Sequence, residues 1–391
     1  MLKFRKINPQ VKCSSFSVSG GTSEHFIIAH SRKNIAFQEA LAELLDNYRA
    51  CLQELGLTEE TQAFSRFYLS DIANQNDALL ASDILDRCAR GAFAVIQQCP
   101  LNGSGVSLLA YHIKYSEPVK RVVTALDNRG WRNTLKISAP NYDLLWSGNF
   151  SGFGQLDSRR QSDEIFSSYN QLINDHGMTL LKNTVRTWIY VRDIDNHYMG
   201  MVKSRVDYFD EQGLNKSTRY IASTGIEAKL DQVNSLVAMD ALSISNLKKE
   251  QIIRMEALDM LSPTHLYGVT FERGCRVDFG DRSHFHISGT ASIDADGEVV
   301  HPGDVSKQAM RVLRNVNALL ESQGASLADM THFIVYLRNI TDVDKVTHVL
   351  SEVISDDTPM IFVEGTVCRP GWLVEIEGVG IRQATLDYPN F

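Results

Sequence analysis

The feature that most constrains the fold of this 391-residue chain is a short pattern that occurs three times. Each time, a glycine that closes a helical pattern is followed, eleven or twelve residues later, by an apolar segment with one tyrosine and a final isoleucine. Such internal similarity predicts one structural unit used repeatedly along the chain. The copies are Gly56 with residues 67–72, Gly177 with residues 189–194, and Gly324 with residues 335–340.

Each copy reads as strands, an amphipathic helix, the tyrosine strand, a second helix and a closing pair of strands. In the third copy, apolar residues recur at helical spacing from Val305, with Asp304 as the cap and Gly324 at the end. Asp296 and Gly297 predict a tight turn before this helix. Units of this kind predict an α+β fold, in which antiparallel-rich sheets carry helices on one face.

Three such sheets can cover their remaining faces by packing around a common axis, which predicts an intramolecular pseudo-trimer. The length of the chain allows two or three domains. We place the domains at residues 1–115, 116–245 and 246–391, with residues 116–140 and 245–274 as connectors. A helical pattern in the second connector, ended by Ser262 and Pro263, predicts a connector helix with apolar positions Ile252, Ile253, Met255, Leu258 and Leu261.

Composition limits the classes of function. Apolar residues make up 43% and charged residues 22%, the balance of a folded globular protein. The net charge of −8 disfavours nucleic acid and anionic membranes as partners. No secretory signal and no apolar stretch of about 20 residues is present, so we expect a cytoplasmic protein. We also expect either a monomer or a homodimer. Scattered cysteines and the lack of a phosphate-binding loop predict no metal and no cofactor.

The third copy resembles the RidA family, also called YjgF or L-PSP. The resemblance is carried by Pro359 and by residues 288–291, 317–324, 335–338 and 374–378. It implies an α+β fold and ligand sites in clefts between units, because members form homotrimers with such clefts.

The deaminases of that family carry an arginine two residues after the proline, where it holds the substrate carboxylate. The corresponding residue here is Ile361, with Ser223 and Phe93 as the approximate counterparts in the other copies. None is arginine, which argues against imine hydrolysis. The resemblance therefore leaves open a binding or regulatory protein of RidA type, or a divergent imine deaminase.

Most of the chain is also similar to the chorismatases, which are single-chain relatives of the RidA trimer. This similarity is carried by residues 188–190, 222–226, 289–293, 367–369 and 373–378. Chorismatases convert chorismate to pyruvate plus a hydroxybenzoate or a dihydroxycyclohexadiene carboxylate. In that family a glutamate seven residues after a cysteine is the catalytic acid, which implies Glu375 and Cys368 here.

The chemistry of such a substrate fits the residue types. A carboxyl group on a buried strand can hold a proton near neutral pH and protonate an enol ether, whereas simple strand alternation would also explain Glu375. Two substrate carboxylates call for arginines. We therefore expect a small anionic, chorismate-like substrate, with Glu375 as the acid and a binding set of Arg338, Arg369, Cys368, Gly289, Ala291 and Ser223.

Other candidates have simpler interpretations. Three arginines of the second copy are alternatives that would reach the substrate from across a cleft, but a surface position is favoured for them: Arg186, Arg192 and Arg219. His284 and His286 share one face of a strand but lack a third metal ligand in the sequence. The tyrosine common to all copies indicates packing. An endoribonuclease would need a basic track, which the composition does not provide.

Overall fold

The computed structural model describes residues 1–83, 90–124, 133–152, 157–264 and 268–391; Cys88, one of the scattered cysteines, lies outside these ranges. The strands form three six-stranded sheets with the same spatial order of strands. In each sheet one pair of neighbouring strands is parallel and the remaining pairs are antiparallel. The predicted α+β class with three antiparallel-rich sheets is confirmed.

The first unit holds the sheet order β1-β2-β3-β6-β4-β5. Its strands are β1 (Leu2–Asn8), β2 (Val11–Ser17), β3 (Ser23–His30), β4 (Gln62–Leu69), β5 (Ala92–Gln97) and β6 (Val106–Lys114). Helix α1 (Phe37–Leu55) packs on β2, β3 and β6, and α2 (Ile72–Leu80) connects β4 to β5.

The second unit repeats this order as β7-β8-β9-β12-β10-β11. Its strands are β7 (Lys120–Thr124), β8 (Asn133–Ser138), β9 (Asp143–Ser151), β10 (Thr184–Val191), β11 (Ala222–Glu227) and β12 (Val237–Ile244). Its helices are α3 (Ser158–Asp175), α4 (Leu180–Asn183) and α5 (Ile194–Glu211). Helix α3 packs on β9 and β12.

The third unit has the order β13-β14-β15-β18-β16-β17. Its strands are β13 (Ile252–Arg254), β14 (Gly274–Asp278), β15 (Arg282–Ala291), β16 (Met330–Leu337), β17 (Met360–Glu364) and β18 (Val374–Gln383). Its helices are α6 (Val305–Glu321), which packs on β15 and β18, and α7 (Val343–Ser351). Short 3₁₀ turns occur at Glu59–Thr61, Lys249–Gln251, Leu327–Asp329 and Ile340–Asp342.

Helix α6 shows why local patterns predict these elements well. The Asp304 side chain accepts a hydrogen bond from the backbone N–H of Lys307 (3.0 Å), which satisfies a donor that the first turn leaves open. The apolar face from Val305 to Leu320 is buried against the sheet. Beyond the last turn, Gly324 has a φ of 70°, a conformation that favours glycine.

Both connectors differ from the sequence prediction. The predicted connector helix is wrong, because Ile252–Arg254 forms β13 and Ile252 pairs with Val277 of β14. Two adjacent β-branched residues suit a pleated strand better than a helix. Residues 116–140 contribute β7 and β8 to the second sheet, so this stretch belongs to the second unit.

The helix-free faces of the three sheets pack against one another. One continuous cluster of buried apolar side chains contains residues of all three sheets. Isolated backbone bridges also join the units, at Gln97 with Lys229, Pro100 with Val363, and Ile226 with Val367. The domain limits proposed at 115/116 and 245/246 fall in the segments that connect the last strand of one sheet to the first strand of the next.

A buried ion pair crosses each of the three interfaces. All six side chains are at most 1% exposed. The pairs are Arg66 with Asp240 (2.8 Å, first and second units), Arg186 with Glu377 (2.5 Å, second and third) and Arg282 with Glu24 (2.7 Å, third and first). Because an unpaired buried charge is costly, each pair ties its two units together. The surface position favoured for Arg186 is therefore wrong.

Buried histidines predict that acid destabilises this fold. Burial lowers the pKa of His25 and His30 to about 4, and that of His112 and His332 to about 3. In the unfolded chain these groups bind a proton near pH 6.5. Below that pH the unfolded state binds more protons than the folded state, so the free energy of unfolding falls as the pH falls from about 6.5 towards 4.

Each histidine contributes up to about 1.4 kcal/mol per pH unit in that window. We expect urea unfolding midpoints to drop between pH 7 and pH 5. His112→Gln should flatten this dependence, because it removes one buried titrating group, whereas the same change at the exposed His348 should leave the slope as it is. Midpoints that do not change between pH 7 and pH 5 would contradict the prediction.

Candidate active site

A cavity of about 170 Å³ lies between the second and third units. The second unit contributes α5, with Tyr198 and Arg205, and β11, with Ser223. The third unit contributes the end of β15, the loop after β17 and Glu375 of β18. The site is therefore formed where two units meet.

Glu375 supplies the carboxyl group of this cavity. It pairs in the sheet with Tyr336 of β16 and Ala291 of β15, and it is only 5% exposed. Burial, reinforced by the nearby charge of Glu377, raises the pKa of Glu375 to about 8, although Arg186 and Arg273 oppose this rise. The carboxyl group therefore carries a proton at neutral pH, as a general acid requires.

Gly289 makes room for this carboxyl group. Strand β15 has a register shift between Ile287 and Thr290, so Ser288 and Gly289 lie outside the regular ladder to β18. A Cβ atom on Gly289 would lie 2.0 Å from Oε1 of Glu375. Any other residue at this position would push the carboxyl group aside.

Three arginines line the cavity around the acid: Arg205, Arg273 and Arg369. The Phe271 ring lies 5.8 Å from the Arg205 guanidinium and 5.7 Å from that of Arg273. Arg273 also donates to the backbone oxygen of Ser262 (3.0 Å). The Arg369 guanidinium lies over the Trp372 ring at 5.1 Å. A neutral acid among three cations makes the cavity suited to an anionic ligand.

Six of the seven residues expected from the sequence line this cavity. They are Glu375, Arg369, Cys368, Gly289, Ala291 and Ser223. Arg338 does not: its Nη1 donates to the backbone oxygen of Val367 (2.9 Å) and its Nη2 pairs with Asp195 at the start of α5 (2.5 Å). Arg338 thus holds the third unit against the second instead of lining the cavity.

Two cavity arginines were not among the sequence candidates. Arg205 is 2% exposed and lies on the buried face of α5, four residues from both Met201 and Phe209. The sequence signal for Arg205 is a charged residue at a helix position where the spacing of Met201 and Phe209 predicts an apolar one. Arg273 precedes β14 directly and is also buried, but nothing in its local sequence marks it.

Cys368 and Ser223 contribute to the shape of the site. Burial, together with the charge of Glu375, raises the pKa of the Cys368 thiol to about 12, and Cys368 shares a hydrogen bond with Tyr198. This thiol therefore stays protonated at neutral pH. The backbone N–H of Ser223 donates to Oγ of Ser288 (2.9 Å), which fixes β11 against β15.

The repeat shows that the acid occurs at one of three equivalent positions. Opposite the repeated tyrosines Tyr68, Tyr190 and Tyr336, the pairing strand carries Ser107, Ala238 and Glu375. The same registers place Thr224 and Ala94 at the positions equivalent to Ile361. The counterparts Ser223 and Phe93 were thus displaced by one residue, and the equivalent positions hold no arginine.

Among the described residues, no group of three or more His, Cys, Asp or Glu side chains could hold a metal ion. His284 is hydrogen-bonded to Glu24 (2.9 Å), and His286 is buried beside it. In the same ranges, no helix combines the length and apolar character needed to span a bilayer.

Comparisons with known proteins agree with this architecture. The family model for endoribonuclease L-PSP matches residues 280–381. A RutC family protein of Pyrococcus abyssi is 34% identical over 99 residues, which cover 25% of this chain and 77% of that protein. The 3-hydroxybenzoate synthase of Streptomyces hygroscopicus is 25% identical over 232 residues, covering 54% of this chain and 66% of that enzyme.

A solved structure extends the similarity to most of the chain. A crystal structure of a chorismatase superimposes with a TM-score of 0.64 at 21% identity, and the match covers 82% of this chain and 93% of that one. The three-unit fold is thus that of chorismatase. The chain belongs to the RidA/YjgF family, also called endoribonuclease L-PSP.

Proposed function

We propose that this protein is a chorismatase-type enzyme. It would cleave the enolpyruvyl ether of chorismate to pyruvate plus a hydroxybenzoate or a dihydroxycyclohexadiene carboxylate by general-acid catalysis. The observation that carries the proposal is a buried carboxyl group, Glu375, whose pKa is raised to about 8 in a cavity with three arginines. The contacts between every pair of units support an intramolecular pseudo-trimer as the scaffold.

In this proposal Glu375 transfers its proton to the methylene carbon of the enolpyruvyl group. The neighbouring carbon, which bears the ether oxygen, becomes an oxocarbenium centre. The carboxylate left on Glu375 stabilises that positive charge. In the hydrolytic route, water adds to this carbon and gives a proton back to the Glu375 carboxylate. The resulting hemiketal then collapses, and its hydroxyl proton passes to the ring oxygen as the C–O bond breaks, which releases pyruvate and the ring alcohol. Burial of Glu375 keeps its carboxyl group protonated at neutral pH, so the proton is available for the first step.

The arginines provide the recognition of a doubly anionic substrate. Arg205 and Arg273 both lie near the Phe271 ring, and Arg369 lies over Trp372, so cations are present in two parts of the cavity. Guanidinium groups suit carboxylates because they form paired, charge-assisted hydrogen bonds. Phe271 and Trp372 also line the cavity, and their rings add apolar surface beside the cations.

A binding or regulatory protein of RidA type is the second candidate. It is supported by the absence of arginine at Ile361, Thr224 and Ala94, the positions that correspond to the deaminase arginine. The same observation disfavours a divergent imine deaminase. The three cavity arginines would serve either candidate, whereas a protonated acid beside them has a use only in catalysis, so the enzyme is favoured.

The test is incubation of the purified protein with chorismate, with pyruvate measured by a coupled lactate dehydrogenase assay. We expect one pyruvate for each chorismate consumed, and chromatography identifies the ring product. No pyruvate at protein concentrations equal to the substrate concentration would reject the proposal. Calorimetric binding of chorismate without turnover would then support the binding protein.

Removal of one cavity cation should weaken substrate use. We expect Arg273→Gln and Arg369→Gln each to lower kcat/KM for chorismate by about 10- to 150-fold, because a hydrogen bond to a charged group contributes about 1.5–3 kcal/mol. Most of the change should appear in KM. Arg314→Gln, at an exposed position of α6, is the control. Equal kcat/KM values in the parent and both cavity variants would contradict this role.

A further inference from the structure

A second carboxyl group lies two residues beyond the proposed acid. Glu377 shares a face of β18 with Glu375, about 6.6 Å further along the strand, and is 1% exposed. Its Oε1 accepts hydrogen bonds from Nε1 of Trp188 (2.9 Å) and the hydroxyl of Tyr336 (2.8 Å). Its Oε2 accepts from Nη2 of Arg186 (2.5 Å) and from the hydroxyl of Thr224.

All four partners donate to Glu377, which suits a carboxylate, because a carboxylic acid would have to donate its own proton to one of these groups. Three of these donors, Arg186, Trp188 and Thr224, come from β10 and β11 of the second unit. The network therefore spans the same interface that forms the cavity. Side chains of both units hold the Glu377 carboxylate in place.

Thr224 connects this network to the site. Besides donating to Glu377, its Oγ1 accepts from the backbone N–H of Gly289 (2.8 Å) and from Nη2 of Arg186 (2.6 Å). Gly289 is the residue against which the Glu375 carboxyl group lies. The hydroxyl group of Thr224 thus links Glu377 to the segment of β15 that contains Gly289.

The charges around Glu375 act in opposite directions. After burial, the charge of Glu377 is the largest influence that raises the pKa of Glu375, whereas Arg186 on β10 and Arg273 before β14 lower it. Cys368 lies beside it in the loop before β18, and the cavity wall adds Arg369 from that loop, with Tyr198 and Arg205 from α5. Without Glu377, only burial would oppose the lowering of the Glu375 pKa by these cations.

We propose that Glu377 is the positioning residue of this site: its fixed charge keeps the Glu375 carboxyl group protonated, and its contact with Thr224 keeps that group in place beside Gly289. The inference rests on the proposed role of Glu375 as the acid. Glu377 itself acts through Glu375 and Thr224, not on the substrate.

The second unit contains a matched network without an acid. Asp240 occupies the strand position equivalent to Glu377, and it accepts from Arg66, the Tyr190 hydroxyl and the backbone N–H of Asn149. Two residues before it stands Ala238 in place of a glutamate. A purely structural role would be shared by both networks, so Asp240→Asn is a control for Glu377→Gln.

The experiment follows the protonated carboxyl band of Glu375 by infrared difference spectroscopy over a pH titration without substrate. The band is assigned by its loss in Glu375→Gln. We expect a midpoint near pH 8 in the parent protein and about 1–3 units lower in Glu377→Gln, with Asp240→Asn as in the parent. The alkaline limb of kcat/KM should move by the same amount. Equal midpoints in the parent and Glu377→Gln would overturn the proposal.

Thr224→Val tests the contact separately, and it keeps the inference testable if Glu377→Gln does not fold. This change keeps the charge of Glu377 and removes the bridge to Gly289. We expect kcat for chorismate to fall about tenfold or more, as for a displaced catalytic group, with little change in KM. An unchanged kcat would reject the positioning role. A protein that releases no pyruvate but shows the infrared shift would reject the proposed function and retain this inference.

Discussion

Replacing Glu375 with glutamine should lower pyruvate release from chorismate by about 10²- to 10⁴-fold. Glutamine has nearly the same size and keeps a polar group in the cavity, but it cannot supply a proton to the enolpyruvyl carbon. The parent activity should also decline as the pH rises through about 8, because ionised Glu375 has no proton to donate. Both results are measured by the rate of pyruvate formation between pH 6 and pH 9.

The control for this variant is Glu364→Gln, which changes an exposed glutamate at the end of β17. It should retain the parent activity and the parent pH dependence. Glu375→Gln should still bind chorismate, because the three cavity arginines are unchanged, and calorimetry tests this. Retention of more than about a tenth of the activity by Glu375→Gln would show that another group supplies the proton.

Asp240→Ala should destabilise the folded protein by about 3–5 kcal/mol, because it leaves the Arg66 guanidinium buried without its anionic partner. Arg66 is 1% exposed, and its Nε and Nη2 both donate to Oδ2 of Asp240 (3.1 and 2.8 Å). This pair joins the first unit to the second. The change is measured as a shift of the urea unfolding midpoint, followed by tryptophan fluorescence.

An exposed ion pair provides the comparison. Arg159 and Asp207 are 2.6 Å apart with side chains 51% and 56% exposed, and pairs of this kind contribute at most about 1 kcal/mol. Asp207→Ala should therefore move the midpoint much less. The double variant Arg66→Met with Asp240→Leu should recover part of the loss, because it removes both buried charges. Equal shifts for Asp240→Ala and Asp207→Ala would contradict this account.

The sequence predicts those parts of the fold whose signals are local. Helix α6 is marked by the Asp304 cap, the apolar spacing from Val305 and Gly324, all within about twenty residues of one another. The connector residues 252–254 lack such information, because Ile252 becomes a strand only through its pairing with Val277. Their apolar spacing fits a helix equally well until a partner strand is known.

The residues of the site also differ in whether their sequence signals are local. Glu375, Cys368 and Gly289 could be predicted because they lie in short segments that resemble a known family. For Arg205 the sequence offers only a cation at apolar helical spacing, since a helix of the second unit brings it into the cavity only when the second and third units pack. The sequence assigns Arg338 to the site from its place on the predicted tyrosine strand, but the direction of its side chain depends on Asp195, which is far away in sequence.

The unequal residues at the three equivalent positions, Ser107, Ala238 and Glu375, have a consequence for how such a protein can diverge. In a ring of identical subunits, every substitution is made three times at once. In a single chain with three units, each of the three positions can change independently. Two of them can therefore keep residues that pack the units together while the third carries the acid. Titration with a tight inhibitor should accordingly reach its end point at one molecule bound per polypeptide.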